Sequence, residues 1–310
     1  MKNQKRRFIQ TSAVCLCFLC LCACGQKKTG AAEYVEQGMK ALESGDFAGA
    51  RSSLKAAGEL SPEEPGIFRA MGIVDYREGN FTEAAEAFET ALGLLGETGQ
   101  RTLREDILQY KADAEMQSGN YEAAVTDYTS LVSLDGENAE YLFKKGKALI
   151  SAGRPDEAVA VFLGVRELAP ENLDYCEDIY LTLKEQGKSE EGLVFLEDIL
   201  KNCEQNEKET ERYGSACLEI ARYDMEKGQY EQALQNLEAG LSGAEGAVQR
   251  ELSYGEAVCH EYMGNYETAL EKFTAYEENY GTDGKLEHEI AFLKTRTEQR
   301  NSGQENSEES

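Results

Sequence analysis

Hydrophobic residues recur along this sequence at intervals of three and four positions, with charged and polar residues between them. Ala84, Ala87, Phe88 and Ala91 form one such group. Residues with this spacing share one face of an α-helix, so each group predicts an amphipathic helix. The chain also has only 4 Pro and no Trp, and it is rich in Ala, Glu, Leu and Lys, which favour helices. The pattern therefore predicts an all-α fold.

The same pattern occurs seven times, each time around a glycine. The seven tripeptides are Gly45-Asp46-Phe47, Gly79-Asn80-Phe81, Gly119-Asn120-Tyr121, Gly153-Arg154-Pro155, Gly187-Lys188-Ser189, Gly228-Gln229-Tyr230 and Gly264-Asn265-Tyr266. Three residues later comes a small residue: Ala50, Ala84, Ala124, Ala158, Gly192, Ala233 and Ala269. Four further on comes a bulky apolar one: Leu54, Phe88, Tyr128, Phe162, Leu196, Leu237 and Phe273. The glycines are 34, 40, 34, 34, 41 and 36 residues apart, which predicts a stack of repeated units.

Each unit is predicted to be two helices joined at its glycine. Glycine readily adopts the left-handed backbone that ends a helix. Small residues in the first helices allow the two helices of a pair to approach closely: Gly38, Gly72, Ala112, Gly146, Ala221 and Ala257. Pro62 and Pro170 stand where second helices must stop, because proline disrupts a helix interior.

The period, the glycine turns and the small residues resemble those of tetratricopeptide repeats, from Ala31 to about Asp283. The resemblance implies a right-handed α-solenoid of seven helix pairs, at about residues 31–64, 65–98, 105–138, 139–172, 173–206, 214–247 and 250–283. Short insertions fall near Gly96–Arg104 and Lys201–Tyr213. Unit four departs from the pattern at Pro155, and unit five departs at Tyr180, Ser189 and Gly192. We expect these two units to pack more loosely than the others.

The residues after the seventh unit are predicted to close the stack. Leu286, Ile290 and Leu293 share one face of a helix over residues 284–297. Such a helix would cover the apolar side of the last repeat, as terminal repeats require. Residues 298–310 are polar and rich in Ser and Glu, which predicts a disordered tail.

The N-terminus has the features of an export signal. Basic residues occupy 2–7 and a mostly apolar stretch follows over Phe8–Ala23, too short to span a bilayer comfortably. The sequence Leu21-Cys22-Ala23-Cys24 resembles a bacterial lipobox. The resemblance implies that residues 1–23 are a lipoprotein signal peptide, that Cys24 is lipidated and that residues 24–30 tether the chain to the membrane. An uncleaved anchor or an ordinary signal peptide is the alternative.

Charge and cysteine usage narrow the range of partners. The formal net charge is −26, which disfavours nucleic acid because phosphate contacts need a basic surface. The spacing of Cys176, Cys203, Cys217 and Cys259 fits no zinc motif, so we expect no metal and no cofactor. Buried structural thiols are the favoured interpretation of these cysteines, and a Cys203–Cys217 disulfide is the alternative.

An enzyme is not predicted, and an enzyme with an unrecognised site is kept only as a remote alternative. The sequence has no GxSxG, no phosphate-binding glycine loop and no HExxH. The two histidines, His260 and His288, have no Cys or Ser partner within a catalytic motif. The many carboxylates are expected on solvated helix faces, and no small-molecule substrate is expected.

In the proteins that this chain resembles, the first helices line a concave groove. Carrying those positions over gives a candidate groove formed by Arg69, Ile73, Tyr76, Gln109, Asp113, Phe143, Lys147, Leu181, Lys184, Leu218, Arg222, Tyr254 and Val258. Bases beside aromatic and aliphatic residues suit a peptide that is both acidic and apolar. We therefore expect a membrane-anchored, extracytoplasmic scaffold that binds proteins or peptides of the bacterial envelope, as an assembly factor or an adaptor. Binding on the convex face or an edge is the alternative.

Overall fold

The computed structural model describes residues 26–96, 100–204 and 210–308, which form fifteen α-helices and no strand. The predicted all-α repeat fold is thus confirmed. The predicted signal peptide and Cys24 lie outside the described residues. No helix in the described part of the chain is long and apolar enough to cross a membrane.

The chain divides into two compact units between Arg154 and Pro155, within the predicted fourth helix pair. These two larger parts are called here the first unit and the second unit, and unit four and unit five remain the names of single repeats. The first unit contains α1 (Gln26–Glu43), α2 (Phe47–Leu60), α3 (Pro65–Glu78), α4 (Phe81–Leu95), α5 (Arg101–Ser118), α6 (Tyr121–Leu134) and α7 (Ala139–Ser151). The second contains α8 (Pro155–Leu168), α9 (Leu173–Glu185), α10 (Ser189–Glu204), α11 (Thr210–Glu226), α12 (Tyr230–Leu241), α13 (Gly246–Tyr262), α14 (Tyr266–Tyr280) and α15 (Gly284–Glu308).

The glycine turns end the first helices as predicted. Gly79 has φ 88° and its N–H donates to the carbonyls of Asp75 and Tyr76, which closes α3 before α4 begins at Phe81. The same positive φ occurs at every turn glycine of the repeat: Gly45, Gly79, Gly119, Gly153, Gly187, Gly228 and Gly264. A residue with a Cβ would be strained in this conformation, so the glycines keep the turns short.

The core follows the small and bulky positions of the repeat. The small and the bulky residues predicted on the second helices, from Ala50 and Leu54 to Ala269 and Phe273, are all buried. Gly72 on α3 shows why small residues are needed: a Cβ there would lie 2.6 Å from Cε1 of Phe88 on α4. The helices of this pair can pack this closely only because position 72 has no side chain.

Several element boundaries differ from those predicted. Helix α15 continues to Glu308, whereas a disordered tail was predicted from residue 298. Residues 298–308 contain no proline, and their Glu and Gln residues favour a helix. Helix α1 likewise begins at Gln26, within the predicted tether. The insertions lengthen first helices: α5 begins at Arg101 and α11 at Thr210.

The structure also shows the position of Pro155 in its helix and the state of the four cysteines. Pro155 is the first residue of α8, where proline is well accommodated because that N–H has no partner within the helix. Cys176, Cys203, Cys217 and Cys259 are all buried, and Cys217 is a free thiol, so the Cys203–Cys217 disulfide is not present. Burial raises the pKa of the Cys176, Cys217 and Cys259 thiols to about 11.

Candidate peptide-binding groove

The second unit has a pocket between α9 and α11, which are the first helices of the fifth and sixth repeats. The pocket has a volume of about 240 Å³. Leu181 of α9 contributes exposed apolar surface, the buried Tyr180 and Leu218 form part of the wall, and Glu219 and Arg222 contribute charge. Leu181 is 45% exposed, so much of its side chain is open to solvent. This pocket therefore offers an open apolar surface with charged groups beside it.

A larger pocket lies beside it, between α11, α13 and the start of α15. Its volume is about 410 Å³, and Leu218, Met225, Tyr254 and Leu286 contribute apolar surface. Leu218, Arg222 and Glu251 line both pockets, so the two form one continuous surface, called here the unit 2 groove. An apolar surface with a few charged groups at its edge is typical of a site for a peptide or another apolar ligand.

A ladder of alternating charges crosses the unit 2 groove. Lys184 on α9 binds Glu219 on α11, and Arg222 binds Glu219 and also Glu251 on α13. The Nη1–Oε1 distance between Arg222 and Glu219 is 2.6 Å. Burial alone would raise the pKa of Glu219, but the Lys184 hydrogen bond and the two cations outweigh it and lower the pKa. The ladder links three successive first helices and neutralises much of the predicted basic charge.

The predicted groove residues of the second unit fall into two groups. Leu181, Leu218, Arg222 and Tyr254 line the pockets, and Lys184 belongs to the charge ladder. Val258 instead packs with Tyr254 against the cluster of buried residues around Phe273. Thus α9, α11 and α13 bring most of these residues together, as the repeat positions imply.

In the first unit, two of the predicted groove residues form hydrogen bonds or ion pairs with residues of neighbouring first helices. Arg69 on α3 binds Asp106 on α5 through two nitrogens, with an Nη2–Oδ1 distance of 2.9 Å. Gln109 on α5 donates to the Tyr141 hydroxyl on α7. These contacts hold neighbouring first helices together.

The remaining predicted positions in the first unit vary in accessibility. Ile73 is only 3% exposed and belongs to the core, so its prediction as a groove residue is wrong: its helix turns it into the pair interface. Tyr76 packs edge-on against Phe81 and Tyr110. Asp113 accepts from Tyr128 and, at 3.4 Å, from Lys144. Lys147 Nζ lies 5.9 Å from the centre of the Phe143 ring.

Several groove residues were not predicted. Arg250, Glu251, Tyr276, Lys285 and Leu286 all line the larger pocket. Lys285 and Leu286 come from α15, which was predicted only as a cap, and Tyr276 comes from a second helix. The positions carried over by resemblance cover first helices alone, so they could not include these residues. Arg250 and Glu251 lie one turn before Tyr254, and that spacing could have indicated them.

Comparison with known proteins agrees with this architecture. The tetratricopeptide repeat family matches residues 35–97, 111–172 and 218–283, which together exceed half of the chain. No curated protein matches the sequence. The stretch between the second and third matches contains unit five, whose residues depart most from the repeat pattern.

Solved structures show a similar fold at low sequence identity. A crystal structure of MamA has a TM-score of 0.50 at 20% identity, over 58% of this chain and 94% of that chain. A chain in the structure of Naa15/Naa10 bound to HypK-THB has a TM-score of 0.60 at 13% identity, over 85% of this chain and 38% of that chain. A tetratricopeptide repeat protein from Parabacteroides merdae ATCC 43184 has a TM-score of 0.48 at 19% identity, over 86% of this chain and 99% of that chain. At these identities the likeness concerns the fold alone.

Proposed function

Because this chain belongs to the tetratricopeptide repeat family, we propose that it is a scaffold that binds a protein or peptide in the unit 2 groove. The observation that carries the proposal is the pair of connected pockets, about 240 and 410 Å³ in volume, lined chiefly by α9, α11 and α13. Exposed Leu181 at one end and Tyr254 at the other provide apolar contacts, which contribute most of the affinity in such interfaces. Catalysis is not part of the proposal, because the groove residues are arranged as ion pairs and apolar surface.

The scaffold is proposed to act outside the cytoplasm, attached to the membrane through lipid on Cys24. Support comes from the sequence alone: a basic segment, a short apolar stretch and the Leu21-Cys22-Ala23-Cys24 motif. Two acyl chains give lasting attachment, whereas a single chain binds reversibly. A scaffold held at the membrane would meet envelope proteins, either as an assembly factor or as an adaptor for envelope enzymes.

A second candidate places the partner at an edge of the repeats. Tyr262 is 65% exposed, and its ring stacks on that of Tyr230 with centroids 4.8 Å apart. Exposed aromatic rings of this kind are enriched in protein interfaces. Tyr262 ends α13 and Tyr230 begins α12, and neither residue lines the pockets of the unit 2 groove.

Affinity capture from crosslinked bacterial membranes tests both candidates. We expect the wild-type chain to retain an envelope protein, Leu181→Ser to lose most of it and Tyr262→Ser to retain it. Loss with Tyr262→Ser but not with Leu181→Ser would instead support the edge. Cys24→Ser should abolish lipid labelling and membrane retention, and normal retention would contradict the proposed anchor.

A further inference from the structure

We infer that the larger pocket of the unit 2 groove recognises a peptide in which an acidic residue lies next to a bulky apolar one. This inference rests on the proposed peptide-binding function and specifies the chemistry of the ligand. Two features carry it: an apolar surface large enough for a side chain, and two cations at its rim that form no ion pair within the described residues.

The apolar surface named here comes from three helices. Leu218 and Met225 of α11, Tyr254 of α13 and Leu286 of α15 line the pocket. Tyr254 is fixed by edge-on contacts with Phe273 and Tyr276, each with ring centroids 5.5 Å apart. A volume of about 410 Å³ is enough for one leucine or aromatic side chain together with neighbouring main chain. The first part of the ligand is therefore a bulky apolar residue.

The rim carries three cations and two carboxylates, and the carboxylates are already engaged. Glu251 binds Arg222. Asp283 caps α15, because its Oδ1 accepts from the backbone N–H groups of Lys285 and Leu286 at 3.0 and 2.9 Å. Of the cations, Arg222 is paired with Glu219 as well as with Glu251. The rim cations without an ion pair among the described residues are Arg250 and Lys285. The hydrogen bond to Tyr276 and, to a smaller extent, the charges of Asp283 and Glu251 raise the pKa of Arg250.

Arg250 is oriented before any ligand arrives. Its Nε donates to the Tyr276 hydroxyl at 2.8 Å, and its guanidinium lies 5.8 Å from the centre of the Tyr276 ring. Within residues 210–299, neither Arg250 nor Lys285 forms an ion pair. A guanidinium held at a pocket rim through its Nε is suited to binding a carboxylate through its two terminal nitrogens. The second part of the ligand is therefore an Asp or Glu beside the apolar residue.

The net charge of the chain determines the ionic strength at which peptide binding should be measured. A formal charge of −26 repels an acidic peptide at long range. At about 0.15 M salt the Debye length is about 8 Å, so the distant acidic residues are screened while a contact with Arg250 persists. Binding is best measured at this ionic strength.

Peptide display on the full chain provides the test. A phage-displayed library of random peptides is selected on the wild-type chain, and the affinities of selected peptides are measured by fluorescence polarisation. We expect the selected peptides to share an Asp or Glu next to a Leu, Phe or similar residue. Arg250→Gln with Lys285→Gln should weaken binding by about tenfold or more, the usual effect of losing charged hydrogen bonds. Replacing the acidic residue of the peptide by its amide should have a similar effect.

Two controls separate charge from folding. Lys201→Gln with Lys294→Gln removes two exposed bases of the same unit that lie outside the pocket, and it should change binding by less than about twofold. Arg250→Lys keeps the charge but lacks the planar fork, so its affinity should fall between those of Arg250→Gln and the wild type, which a purely structural role for Arg250 does not predict. Circular dichroism melts of all variants check that the helices remain folded.

The outcomes distinguish this inference from the proposed function. If selected peptides lose binding with Leu181→Ser but not with Arg250→Gln and Lys285→Gln, the groove binds peptides and the acidic specificity is wrong. The envelope protein captured from membranes is tested with the same variants, and capture unchanged by Arg250→Gln and Lys285→Gln also overturns the inference. If neither peptides nor envelope proteins bind, both the inference and the proposed function fail.

Discussion

The ring of Tyr180 on α9 occupies space that is open because residue 192 on α10 is a glycine. A Cβ on Gly192 would lie 3.0 Å from Cδ2 of Tyr180. Two of the three departures of unit five from the repeat pattern, Tyr180 and Gly192, thus compensate each other, and Tyr180 is only 2% exposed. The expectation of loose packing here was wrong, because a large residue and a small one have exchanged places. The Tyr180 hydroxyl also donates to Glu219 at 3.1 Å, which joins this packing to the charge ladder.

A double-mutant cycle tests this complementarity. Gly192→Ala should destabilise the wild-type chain by about 1 kcal/mol, because the added methyl group overpacks the helix pair. In the Tyr180→Ala background the same change should stabilise by about 1 kcal/mol, since alanine favours a helix over glycine. Urea unfolding of the four proteins gives the coupling energy. If Gly192→Ala changed the free energy of unfolding equally in both backgrounds, the two residues would not constrain each other.

Gly72 and Gly93 provide a matched pair in the first unit. A Cβ on Gly72 would meet Phe88, which is fully buried and stacked on Tyr110, whereas a Cβ on Gly93 has no atom within 4 Å. We expect Gly72→Ala to destabilise by about 1–3 kcal/mol and Gly93→Ala to stabilise by about 0.5–1 kcal/mol. Thermal melting of both variants checks the signs, and a Gly72→Ala variant as stable as the wild type would contradict the assigned helix crossing.

A buried cluster in the first unit has more carboxylates than cations. Lys111 Nζ lies 3.0 Å from Glu89, 3.1 Å from Glu115 and 2.9 Å from Asp127. Glu115 Oε2 is buried and makes no hydrogen bond within the described residues. Burial, together with the hydrogen bond and charge of Asp127, raises the pKa of Glu115 to about 7. The folded chain therefore holds a proton on Glu115 up to a higher pH than the unfolded chain does.

This cluster predicts a pH dependence of stability. Because the folded-state pKa of Glu115 is raised, its stabilising contribution is complete below the unfolded-state pKa and is lost as pH rises through about 7. The loss is on the order of 3 kcal/mol. Glu115→Gln mimics the protonated form, so its advantage over the wild type should grow between about pH 5 and about pH 9. Urea unfolding at both values measures it, and an advantage that is independent of pH would contradict the raised pKa.

Leu181 and Leu183 are neighbours on α9 with different surroundings. Leu183 is fully buried, and Leu181 is 45% exposed at the groove. Leu183→Ser should destabilise by about 2–5 kcal/mol, since it leaves a cavity and buries a hydroxyl. Leu181→Ser should leave the melting temperature nearly unchanged and weaken partner capture. A Leu181→Ser variant that melts early would mean that this side chain serves the fold.

The repeat could be predicted from sequence because its determinants are local. A glycine with positive φ, a small residue and a bulky one recur in each unit, and each acts on its own helix pair. The groove was only partly predictable. Ile73 was misassigned because repeat positions give no exact rotation of a helix, and Lys285 was missed because α15 contributes to the site outside any repeat. The neutralisation of Lys184 and Arg222 by Glu219 depends on side-chain geometry between helices, which spacing does not reveal.

The central claim is that the unit 2 groove holds the partner, and photo-crosslinking in living cells tests it most directly. A photo-reactive amino acid is placed at Leu181 in the groove, at Tyr262 on the exposed edge or at Glu238, an exposed residue of α12 outside both pockets. The full chain is then irradiated and recovered from membranes. We expect a crosslinked envelope protein from position 181 and none from position 238. Crosslinks from position 238 or 262 with none from position 181 would contradict it.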